Sequence, residues 1–111
     1  MDVDTTVFDN LVAEIGLEDA QQTFSIFISE TDDRLKRFRQ LSCDKDRDAI
    51  KQEAHGLKGT AGNFGLRQVS ELARKLEQDA ATIMSGAYEA TLRSLETSYA
   101  TARERVVKLA T

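Results

Sequence analysis

Apolar residues recur along this chain at steps of three and four, the spacing that gathers them on one face of an α-helix. Val7, Phe8, Leu11, Val12 and Ile15 form the first set, with Asp4 and Thr5 placed to cap its start and Gly16 to end it. Ala20, Phe24, Phe27, Ile28, Thr31, Leu35 and Phe38 predict a long second helix from about Asp19 through Leu41. Arg34, Lys36, Arg37 and Arg39 lie toward its C-terminal end, where cations complement the helix dipole. Ser42 to Asp46 is polar and offers capping side chains, after which Ile50, Ala54, Leu57, Ala61 and Phe64 predict a third helix with Gly65 as its stop. Leu66, Val69, Leu72, Ala73, Leu76, Ala80 and Ile83 predict a fourth, ending in a turn near Ser85-Gly86. Tyr88, Leu92, Leu95, Tyr99, Ala102, Val106 and Leu109 then alternate steps of four and three without a miss, the seam of a helix in a bundle.

Four long amphipathic helices with short links predict an all-α fold, an antiparallel up-down four-helix bundle with the short N-terminal helix as an accessory cap. Composition agrees: the sequence has no proline and only six glycines, so helix breakers are scarce. At 111 residues it is long enough for one core, and the expectation is a single domain over residues 1–111. The aromatic side chains Phe24, Phe27, Phe38, Phe64, Tyr88 and Tyr99 are expected in that core.

Charge and cysteine content narrow the function classes. Nineteen acidic and 15 basic side chains are well mixed and leave a net charge of −4, which argues against a nucleic-acid footprint. Cys43 has no second cysteine to pair with, and with one histidine there are too few ligands for a structural zinc site. Cys43 is therefore expected to be inert, and the reducing cytoplasm the expected setting. The first residues are acidic and polar rather than basic and apolar, and no apolar run approaches the roughly 18 residues needed to cross a bilayer. No membrane contact is expected. Met1 and the full set of helices favour a free-standing protein over an excised piece of a larger kinase.

The chemistry centres on His55, the one histidine. With the apolar stripe of the third helix set at zero on a wheel of about 100° per residue, His55 falls near 140° and points to solvent. Gly59 falls at about 180°, Gly62 at about 120°, Lys51 at about 100° and Lys58 at about 80° on the same wheel. His55 thus lies on a surface bordered by two lysines and floored by glycines. Glycine inside a helix costs about 0.5 to 1 kcal/mol relative to alanine. Gly56, Gly59 and Gly62 all lie within this one helix, so something must offset that cost. Close approach of a partner surface to the ring would do so at Gly59, while Gly62 also fits close helix packing. A solvent-exposed imidazole is largely neutral near pH 7 and offers a lone pair as a nucleophile. Lys58, three residues on, can swing toward a charged group on the ring. No phosphate-binding glycine loop or kinase-type loop is present, so the attacked phosphorus would have to be activated by a partner.

The stretch His55-Gly56-Leu57-Lys58-Gly59, followed by Gly62, Asn63, Gly65, Leu72, Leu76 and Glu77, closely resembles histidine-containing phosphotransfer (HPt) domains. The resemblance is strongest from about Gln52 to Glu77. It implies that His55 is a phosphoacceptor, taking a phosphoryl group from a receiver-domain aspartate and passing it to another receiver. It further implies that Lys58 stabilises the phosphoryl group and that Gly59 gives the receiver access, with Lys51 and Gly62 on the same partner-binding surface. Some members carry a ring-bonding glutamine near the position of Glu77, so Glu77 and its neighbour Gln78 are the candidates for orienting the imidazole. The partners would be the receivers of a hybrid sensor kinase and of a response regulator, with a monomeric carrier between them. The carrier would need no metal or cofactor of its own, the magnesium sitting on the receiver, and would not be an enzyme by itself. A non-catalytic helical adaptor that docks a receiver is the alternative. The phosphoacceptor domain of a sensor kinase fits less well, because Gly56 follows the histidine where that family has an acidic residue, and its proline is missing.

Overall fold

The computed structural model describes residues 3–111, and these residues form five helices and no strand. Helix α1 spans Thr5–Ile15, α2 Leu17–Gln40, α3 Arg47–Asn63, α4 Arg67–Asp79 and α5 Ser85–Ala110. The body is elongated, with extents of 45 × 23 × 19 Å.

Each end has a local cause. Asp4 caps α1, its carboxylate accepting from the Thr6 amide at 3.1 Å. Gly16 alone joins α1 to α2; its φ of 90° is the left-handed region that glycine enters without strain. The single-residue link starts α2 at Leu17, two residues before the expected Asp19, because the Gly16 carbonyl already accepts from Ala20. At the other end Leu41 is extended and lies outside the helix. Asp46 precedes α3, but its carboxylate caps no amide of that helix and instead accepts from the Ser42 amide at 2.8 Å, closing the intervening turn.

The largest departure from expectation lies between α4 and α5. The apolar pattern carries α4 on to Ile83, yet the helix stops at Asp79, and Ser85 and Gly86 open α5 instead of forming a turn. Arg47 explains it: its guanidinium donates to the carbonyls of Ala80 at 3.0 Å and Ile83 at 2.9 Å, satisfying acceptors that a continued helix would use internally. Ile83 is still buried, so it kept its place in the core while leaving the helix.

The core lies between α2, α3, α4 and α5, which meet in the pairs α2 with α3, α3 with α4, α4 with α5 and α2 with α5. Phe24, Phe27, Phe38, Ile50, Leu57, Leu66, Leu76, Leu95 and Val106 are fully buried. Polar tips that enter this core are satisfied. The Tyr88 hydroxyl donates to the Phe38 carbonyl at 2.8 Å, and burial pushes its pKa up to about 12. The Tyr99 hydroxyl lies 2.7 Å from Asp32 and 3.1 Å from the Ile28 carbonyl. Helix α1 covers one end, where Phe8 meets Phe24 edge-on at 5.0 Å and Phe64 stacks on Phe27 at 4.3 Å. Phe64 itself is only half-buried, because it caps α3 and does not continue it.

A tight reversal after Phe64 sets α4 beside α3. Gly65 has φ 84°, and the Leu66 amide bonds back to the Ala61 carbonyl at 2.8 Å, the pattern of a glycine-ended helix. The N-terminal segment locks this reversal, with the Asp4 amide on the Gly65 carbonyl at 2.8 Å and Val3 bridged to Leu66.

Candidate functional site

Helix α3 holds Ile50, Ala54, Leu57 and Ala61 against the core and turns His55 outward, leaving its side chain 68% exposed. Across the α3–α4 seam stands Glu77, whose side chain is 19% exposed. One carboxylate oxygen, Oε2, lies 2.7 Å from His55 Nδ1; the other, Oε1, lies 2.7 Å from Lys58 Nζ. Glu77 therefore touches both groups that the sequence singled out, one with each oxygen.

The protonation pattern follows. Hydrogen bonds from Lys58, first, and from His55 hold the Glu77 carboxyl below the usual carboxylate range, so it is ionised at neutral pH and only accepts. The proton in the contact is then on His55 Nδ1. In the neutral ring the lone pair is then on Nε2, on the edge away from Glu77. Among the described residues, Glu77 is ion-paired with Lys58 and in contact with His55, both on α3.

Asp48, Lys51, Gln52, His55 and Glu77 line a shallow depression at the ring. Lys51 is thus beside the histidine, whereas Asp48 and Gln52 were not singled out from the sequence. Both lie on the same stretch of α3, three or more residues before His55, so helical spacing alone carried the signal. Gln78 is exposed and makes no contact with the ring, since the next position on α4 faces a different direction.

The three glycines differ. A side chain at Gly59 would meet nothing within 4 Å, leaving an open face one turn from His55. At Gly62 a Cβ would lie 3.3 Å from Ser70 Oγ, so this glycine serves the approach of α3 to α4. Ser70 in turn donates to the Lys58 carbonyl at 2.8 Å. Over Gly56 lies Arg34 of α2, its Nη1 occupying the space of a missing Cβ and donating to the Glu53 carbonyl at 2.9 Å. Arg37 adds two bonds to the Glu53 carboxylate, at 3.0 and 3.1 Å. The reason for Gly56 was hidden in the sequence, because Arg34 is remote from it along the chain.

Five helices carrying a single solvent-facing imidazole, held by a carboxylate that is itself paired with an ammonium, define a class of small all-α protein that displays a histidine from the outer face of a helix. The chain belongs to the Hpt domain family, whose model matches residues 22–108. That match runs from within α2 through nearly all of α5 and includes His55, Lys58 and Glu77. Hpt domains serve histidine phosphotransfer in the phosphorelays of two-component signalling, where they act with receiver domains. No curated protein and no solved structure is significantly similar to the chain. Among the described residues no helix is long and apolar enough to cross a membrane.

Proposed function

We propose that this protein is a cytoplasmic, monomeric phosphoryl carrier that takes a phosphoryl group from a receiver aspartate onto His55 Nε2 and returns it to a second receiver. The observation that carries this reading is the 2.7 Å contact between His55 Nδ1 and Glu77, which leaves Nε2 as the free nucleophile. In the step, the Nε2 lone pair attacks phosphorus in line, the P–O bond to the aspartyl carboxyl breaks, and its electron pair returns to that carboxylate. Magnesium in the receiver's acidic pocket would neutralise the phosphoryl oxygens, so the carrier needs no metal or nucleotide site of its own. Lys58 would offset the charge of the phosphoryl group on the ring, and the open face at Gly59 would admit the receiver's loops. The four long helices are read as an antiparallel up-down bundle, supported by contacts of α2 with α5 that run in opposite order, from Gln21 with Leu109 to Phe38 with Tyr88.

Incubation with a phosphorylated receiver tests the reading. A base-stable, acid-labile adduct on the chain, lost in His55→Gln, is the expected result. Receiver binding without any adduct would instead make the chain a docking adaptor. Lys58→Ala is expected to slow transfer at least about tenfold, corresponding to about 1.4 kcal/mol of lost transition-state stabilisation, with an unchanged helical spectrum. Equal single-turnover rates would remove Lys58 from the mechanism.

A further inference from the structure

Glu77 does more than hold the ring still if its charge, and not only its shape, is used. Its two oxygens are committed to two different donors at equal distance, the Lys58 ammonium on Oε1 and the Nδ1 edge of His55 on Oε2, both 2.7 Å. While the ring is free, Lys58 offsets much of the carboxylate's charge. A phosphoryl group on Nε2 brings a dianion within reach of the same ammonium, and Lys58, on a flexible stem and 34% exposed, is free to turn to it. The carboxylate then faces the ring alone.

Phosphohistidine breaks its N–P bond readily only when the other nitrogen is protonated, because the electron pair then returns to Nε2 of a neutral leaving imidazole. Without that proton the leaving group is an imidazolate, a far poorer one. A carboxylate 2.7 Å from Nδ1 favours the protonated ring. We propose that Glu77 is a positioning residue for discharge: once phosphorylation draws Lys58 away, its carboxylate keeps the proton on Nδ1 and holds phosphohistidine in the form that gives up its phosphoryl group. In discharge the N–P bond breaks, its electron pair stays on Nε2, the phosphoryl group passes to a receiver carboxylate or to water, and the Nδ1 proton never leaves the ring.

The charges around the site are few. From α3 they are His55, Lys58, Lys51 and Asp48, the last two lining the same depression. Arg47, also of α3, is bonded to the carbonyls of Ala80 and Ile83 just past the end of α4. On α4 itself Arg74 is paired with Glu71, and α5 contributes no ion pair to Glu77 among the described residues. Glu77 is thus the acid in direct contact with the ring.

This inference rests on the carrier reading, but its test needs no receiver. The full chain and Glu77→Gln are loaded on His55 with phosphoramidate, and discharge to water is followed from pH 5 to 10 while ¹⁵N NMR follows Nδ1. Glutamine keeps the size and a hydrogen-bond acceptor but removes the charge, so a purely orienting role would survive it. The expected result is a Nδ1 proton that titrates above that of free phosphohistidine in the full chain, and a discharge midpoint about one pH unit lower in Glu77→Gln. On the alkaline limb that shift is about a tenfold loss of discharge rate. The Lys58 Nζ resonance should move on loading. Coincident profiles, a loaded chain that titrates like free phosphohistidine, or phosphorylation on Nδ1 would each overturn the proposal. If Glu77→Gln does not fold, the comparison of the loaded chain with free phosphohistidine decides it. Failure of the carrier reading would appear separately, as no transfer from a phosphorylated receiver.

Discussion

Gly59 carries the sharpest conflict between stability and use. It stands inside α3 with φ in the ordinary helical range and open space where a side chain would begin, so alanine fits there without a clash. Gly59→Ala should therefore stabilise the protein by about 0.5–1 kcal/mol, through helix propensity and a less flexible unfolded chain. The same methyl group would stand one turn from His55, on the face proposed for receiver docking, and is expected to weaken that docking. A raised Tm together with slower phosphotransfer is the predicted pair of outcomes; Gly59→Glu should block docking outright. Undiminished receiver binding by both variants would separate the glycine from partner access. Gly65 behaves in the opposite way. At φ 84°, with the Asp4 carbonyl 2.7 Å from the position of a Cβ, Gly65→Ala is strained and should lower stability by more than about 1 kcal/mol, read by urea unfolding.

Helix ends decide how α3 and α4 meet, and Arg47 sets one of them. Its guanidinium holds two carbonyls past the end of α4, hydrogen bonds from a charged donor in a part-buried setting. Arg47→Ala leaves those carbonyls without that donor and is expected to cost about 1–2 kcal/mol. Amide exchange localises the effect: Thr82 and Ile83, whose amides bond to the Asp79 carbonyl, should lose protection before the centre of α5 does. Uniform loss along the chain would mean that Arg47 acts on global stability and not on the end of α4. The apolar stripe of α4 continues through Ile83, so periodicity predicted a longer helix. What stopped it was a side chain from another helix, which no local pattern announces.

Across the bundle, α2 and α5 are tied by a polar clamp at Asp32. Arg103 donates to both of its oxygens at 3.0 Å, and the Tyr99 hydroxyl lies 2.7 Å away. Burial, the largest single influence on Asp32, pushes its pKa up, but the bonds from Arg103 and Tyr99 together bring it below the usual value. A depressed folded-state pKa means stability that is present above the unfolded value near 4 and is lost as pH falls through the lowered one. Asp32→Asn should cost about 1 kcal/mol or less at pH 7, since the pair is partly exposed to solvent. The gap between the two chains should narrow in thermal unfolding below about pH 4. A constant gap down to pH 2 would exclude the ionised carboxylate as the source.

The helical repeat is a local property, and it was enough to read five helices, most of the buried side chains and the outward direction of His55. Covalent geometry sets 3.6 residues per turn, so the stripe that faces the core also settles which positions do not. Lys58 and Gly59 followed because they lie within one turn of that histidine. Other features depended on which helices meet and at what height, a matter of packing between segments far apart in the chain. Arg34 over Gly56, Ser70 against Gly62 and the Arg47 cap on the end of α4 all came from the assembled molecule. So did the most consequential contact. Glu77 stood in the sequence as one of two adjacent candidates, Glu77 and Gln78, and neighbouring residues on a helix differ by about 100° in direction. Only the seating of α4 against α3 brings the Glu77 carboxylate within 2.7 Å of both His55 and Lys58 and leaves Gln78 in solvent.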